Sequence, residues 1–253
     1  MKIFEAFMDP FGPFEFLARW GHILSGVTWI GLLYFFNFVQ VPAYAKLSDG
    51  ARSEALRNIT FRALWWFRYA ALSTFIFGLL IISVYMGDDP SGESKTELYF
   101  RGAHGVAILT GMLFGVTMFL NVWGIIWRNQ KVVIGSAETV AAGGQADPAA
   151  PAAAKAAGRA SRANTFMSIP MLFFMVFAGH GQWFGNDTKG TIVYWILVLI
   201  LWGLVQASAM GLIGGMDGPF NKAFFDDHKR TIIGGFVWLA IIYFIGFELL
   251  LAP

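Results

Sequence analysis

The sequence predicts an all-α polytopic membrane protein: a bundle of about six transmembrane helices with both termini on the periplasmic side. Three observations carry this. Of 253 residues, 57% are hydrophobic and only 13% are charged, about half the usual charged share of a soluble domain, which is ~25%. The 26 Phe and 10 Trp residues exceed what a water-exposed surface tolerates. Six apolar stretches reach the ~20 residues that a helix needs to cross the hydrocarbon core.

These stretches run near 16–41, 63–86, 98–127, 166–184, 192–214 and 231–251. The segment before the first, "MKIFEAFMDPFGPFEF", has acidic residues, prolines and no separate apolar core. It reads as an amphipathic surface segment rather than a cleavable signal peptide. The third stretch is long enough to tilt or to project beyond the bilayer. Between the third and fourth, residues 134–162 are rich in Ala, Gly and Pro and lack aromatics. Their composition predicts a flexible cytoplasmic loop joining two three-helix halves. The whole of 1–253 then forms a single transmembrane domain.

Orientation follows from Lys and Arg in the short connections. Lys46, Arg52, Arg57, Arg62, Arg128, Lys131, Lys155, Arg159, Arg162, Lys222, Lys229 and Arg230 fall on one side, and only Lys2, Lys95 and Lys189 on the other. The richer side is expected to be cytoplasmic, in a bacterial inner membrane.

With no cysteine in the chain, disulfides, thiolate-bound clusters and covalently attached c-type haem are excluded. No phosphate loop, Ser–His–Asp set, paired carboxylates or nucleic-acid signature is present. What stands out is histidine. The predicted topology places His22, His104 and His180 in the same membrane leaflet, at similar depth, and sets His228 apart on the basic side. "RWGHILSGVTWIG" in the first helix is echoed by "RGAHGVAILTGMLFG" in the third. Both read Arg-x-x-His, and residues three apart share a helix face. Arg19 and Arg101 are thus expected one turn outward of His22 and His104. Gly26, Gly111 and Gly115 follow on the histidine face and leave room for a flat ligand or a close helix.

Haem b accounts for this pattern: imidazoles ligate iron, and arginines bind propionate carboxylates in a bidentate fork. His22 and His104 are the preferred ligands, with His180 as the alternative or a substrate-side group. Three histidines also suit zinc or copper, and His with Arg suits an anionic substrate, but a metal ion leaves the arginines unexplained. Met167, Met171 and Met175 read as a packing stripe. Asn37, Gln40, Asn121 and Gln206 read as interhelical hydrogen-bonding residues. Trp20, Trp123, Trp127 and Trp183 read as an aromatic belt.

"ARWGHILSGVTWIGLLYFFNFVQVP" and "SRANTFMSIPMLFFMVFAGHG" resemble two helices of the membrane domain of bacterial cytochrome c-linked urate oxidases. That resemblance implies urate oxidation, with electrons passed to a C-terminal cytochrome c domain. This sequence ends at "FELLLAP", without such a domain, so the expected acceptor is a separate periplasmic cytochrome c. The alternative is a non-catalytic accessory subunit of a larger respiratory or photosynthetic complex.

Overall fold

The computed structural model describes residues 12–88, 91–181 and 188–251. Among them, six helices are long and apolar enough to cross a membrane: α1 (Pro13–Tyr44), α2 (Asp49–Val84), α4 (Gly102–Ala141), α5 (Ala150–His180), α6 (Thr188–Ala209) and α8 (His228–Leu251). Two short helices, α3 (Lys95–Phe100) and α7 (Pro219–Phe224), sit in connections. The all-α expectation holds, with one isolated bridge, Asp88 to Ser94, as the sole extended pairing among the described residues. The surface segment expected at the N-terminus lies mostly outside the described residues, as does Trp183.

α5 is the central element. It packs along the whole of α4 and against α8, with lighter contact to α6 and α1, while α1 pairs chiefly with α2. Lipid gives no hydrophobic drive for such packing, so close approach and buried hydrogen bonds must supply it. Asn121 donates to Asn164 Oδ1 at 2.8 Å and exchanges two hydrogen bonds with Gln206, tying α4, α5 and α6. Asn37 donates to Ser161 Oγ at 2.8 Å, tying α1 to α5. The expected interhelical roles of Asn37, Asn121 and Gln206 are met. Gln40 differs: its Oε1 is buried without a hydrogen-bond partner among the described residues.

The expected loop over 134–162 is mostly helix. α4 runs on to Ala141 and α5 starts at Ala150, so the break is confined to 142–149. Two causes are physical. Alanine has the highest helix propensity, and the alanines form a seam. Ala153, Ala157, Ala160, Asn164, Met167, Met171, Phe174 and Ala178 are all buried, at alternating spacings of four and three that keep one stripe facing its neighbours. The turn itself is pinned by Ser136 Oγ, which accepts from the Asp147 amide at 2.9 Å. At 40 residues, α4 is ~60 Å long at ~1.5 Å per residue, so it projects well past a core of ~30 Å.

The helix ends sort into two groups. The connections 45–48, 142–149 and 210–227 lie together at a basic end, and His22, His104 and His180 belong to the opposite end. Trp123 and Trp127 are half-buried: Trp123 meets the Tyr69 ring edge-on at 5.8 Å, and Arg68 stacks on Trp127 at 3.6 Å. Trp20 is exposed on the outer face of α1.

Candidate functional site

His22 lies two and a half turns into α1 and points across to α2. Its Nδ1 is 2.8 Å from the Thr74 carbonyl oxygen. A carbonyl only accepts, so Nδ1 carries the proton and Nε2 carries the lone pair. Thr74 Oγ1 is itself committed to the Ala70 carbonyl at 2.8 Å. Gly78 makes room for the ring: a Cβ there would lie 3.3 Å from His22 Cε1. Gly26 sits farther along the same interface, where a Cβ would meet Thr74 Cγ2 at 3.9 Å.

His104 is held in the same way by different means. Its Nδ1 donates to the Tyr99 carbonyl at 2.7 Å, and its ring meets the Tyr99 ring edge-on at 5.0 Å. The bond depends on a sharp corner between α3 and α4. Gly102 turns the corner at φ +64°, a conformation that costs other residues ~1–2 kcal/mol. Gly105 lets the chain pass: a Cβ there would come within 1.7 Å of the Phe100 carbonyl oxygen. Arg101 is the extended N-cap of α4, at φ −78° and ψ 149°. It is not a helical residue one turn before His104, as the Arg-x-x-His echo suggested, because the glycine corner interrupts the helix there.

Arg19 does lie one turn from His22 within α1. Its guanidinium is already engaged: Nε donates to Glu15 Oε1 at 2.7 Å, and a second nitrogen binds the same oxygen. Glu15 is buried, and the Tyr85 phenol lies within electrostatic reach of the pair. Tyr85 stacks on Tyr99 at 4.1 Å, so Glu15, Arg19, Tyr85, Tyr99 and His104 form one contiguous patch linking α1, the end of α2, α3 and α4. Burial pushes both phenols above their ordinary pKa, and they stay neutral at neutral pH. Arg101 is exposed and forms no ion pair among the described residues.

His180 ends α5 and is exposed. Among the described residues no three His, Cys, Asp or Glu side chains gather to hold a metal ion, so His22, His104 and His180 do not form a three-histidine centre. The space beside Gly111 and Gly115 is taken by Met171 and Met175 of α5. Of the two uses expected for those glycines, the close helix is the one realised.

Sequence reasoning missed Glu15, Thr74, Gly78, Tyr85 and Tyr99. Only Glu15 left a local signal, its i,i+4 spacing from Arg19. The others reach the histidines through backbone carbonyls, ring stacking or tertiary contact.

Residues 96–207 match the family model described as urate oxidase N-terminal. Over those residues the chain is similar to the urate oxidase N-terminal family. The matched residues include the α3–α4 corner, His104, the whole of α5 with His180, and most of α6. His22, Arg19 and Gly26 precede them. No curated protein and no solved structure matches the chain.

Proposed function

We propose that this urate oxidase-type membrane domain is a haem b-binding redox protein of a bacterial inner membrane, passing electrons from a small substrate of the urate class to a periplasmic cytochrome c. One observation carries the reading. His22 and His104 belong to the same end of the bundle, and each donates its Nδ1 proton to a backbone carbonyl. This bond fixes the tautomer and orients the ring, the arrangement usual for metal-ligating histidine.

The residues present fit the group in part. His22 and His104 would ligate the iron, and Arg101 would meet a propionate. Arg19 already neutralises buried Glu15, so its role is to hold that carboxylate rather than the cofactor. Tyr85 and Tyr99, neutral and stacked, would cover one side of the patch. When bound, haem would supply a one-electron relay. The Lys and Arg bias of the basic end supports placing the histidine end on the periplasmic side.

The test is the visible spectrum of the purified protein. A dithionite-reduced b-type band, lost in both His22→Ala and His104→Ala, is the expected result, and anaerobic urate should reduce the same band. A folded, colourless wild-type protein overturns the redox reading and favours the accessory subunit.

A further inference from the structure

A cavity of about 320 Å³ opens at the basic end, between α1, α2, α4, α5 and residues 225–226. This is the lower end of the size range for small-molecule sites, ~300–1,000 Å³. Its lining holds three polar groups that find one partner or none among the described residues.

The first is Arg162, which is 8% exposed. Its one hydrogen bond among the described residues is NH1 to the Asn37 carbonyl, at 3.5 Å, and no carboxylate lies within ion-pair distance. Neighbouring Arg159 is different. It binds Asp226 at 2.6 Å and the Met216 carbonyl at 3.0 Å. Lys155 is likewise paired with Asp217. Asp227 acts on Arg162 through space, opposed by the charge of Arg159, and its Oδ1 already accepts the Lys229 and Arg230 amides at 2.9 and 3.1 Å. A buried guanidinium with one long bond is costly. The second and third groups are Gln40 Oε1 and Gln130 Oε1, buried and without partners among the described residues. Both residues line the cavity.

We infer that this cavity is a binding site for a small organic anion that also carries hydrogen-bond donors. The anion would engage Arg162, and its N–H or O–H groups would satisfy Gln40 and Gln130. A halide meets the first demand and not the second; an apolar solute meets neither. The inference stands apart from the haem reading, because it concerns the other end of the bundle and needs no cofactor.

The test is calorimetric titration of the full chain in detergent with three monoanions: propionate, lactate and hydantoate. Affinity should rise in that order, as donors are added to the carboxylate. Arg162→Gln should weaken hydantoate by about tenfold or more, the usual loss for a hydrogen bond to a charged group. Gln130→Met, which keeps the cation and Gln40, should narrow the preference for hydantoate over propionate. Circular dichroism checks that each variant is folded. Absence of saturable binding by all three anions to folded wild-type protein would mean that the cavity holds only water, and would overturn the proposal. Unchanged hydantoate affinity in Gln130→Met would do the same.

Discussion

His22 of α1 donates its Nδ1 proton to the main-chain carbonyl of Thr74 in α2, at 2.8 Å. The bond crosses the close α1–α2 interface and turns the imidazole toward α2. Its neighbour Gly21 shows how close the helices come: a Cβ there would lie 2.6 Å from the Phe77 ring.

Gly78→Ala should disturb this bond directly. The new Cβ would stand 3.3 Å from His22 Cε1 and 3.4 Å from Nδ1, so the ring must shift or the helices must part. Overpacking of this kind costs ~1–3 kcal/mol. The expected outcome is a lower Tm in detergent. Gly124→Ala, which meets nothing within 4 Å, should leave Tm unchanged or raised.

The α3–α4 corner makes a sharper demand. Gly105→Ala sets a Cβ 1.7 Å from the Phe100 carbonyl, and backbone cannot yield as a side chain can. The corner must open, and with it the Tyr99 carbonyl that holds His104. Gly105→Ala should therefore lower Tm more than Gly78→Ala, and thermal melts of the two side by side check it. A Gly105→Ala protein as stable as wild type would mean that the corner is not built this way.

The six spans were legible because apolar runs of membrane length have few other meanings. The Ala-rich segment was not. Composition marked it as a linker, yet its 3–4 spacing continues unbroken from Ala153 through Phe174. Periodicity was the better guide, and it was hidden because alanine counts weakly as apolar. His22 and His104 were visible as residue types in a repeated motif. Their holders were not, since Thr74 and Tyr99 contribute carbonyls that any residue possesses. Arg19 was visible too, but its commitment to Glu15 assigns its charge within the protein. The Gln40 and Gln130 oxygens became informative only once their surroundings were known to leave them unpaired.

The Asn121–Gln206 pair offers a test of what holds the centre. Each side chain both donates to and accepts from the other, at 3.0 and 2.8 Å. Asn121→Leu should strand the Gln206 amide and lose the bond to Asn164, costing ~1–3 kcal/mol. Leu at both positions should cost less than the sum of the two single changes, because neither partner is left behind. A double-mutant cycle on Tm or denaturant midpoint reads the coupling directly. An additive cycle would mean that the pair contributes no interaction energy of its own.

Acid should selectively remove one contact at the basic end. Asp217 accepts a hydrogen bond from Lys155, and this bond, aided by the charges of Lys155, Arg159 and Lys222, holds its carboxyl below the ordinary carboxylate range. A depressed folded-state pKa means that the folded protein binds the proton less readily than the unfolded chain. The stabilisation is then fully present above the unfolded value, about pH 4, and is lost as pH falls through the folded value. Asp217→Asn removes the charge at every pH. Wild type should therefore melt above Asp217→Asn at pH 7, the gap should hold down to about pH 4, and it should close below that. High salt should also narrow it, since both partners are exposed and screened. A gap that persists unchanged to pH 3, or one that is absent at pH 7 in low salt, would show that Asp217 contributes nothing through Lys155.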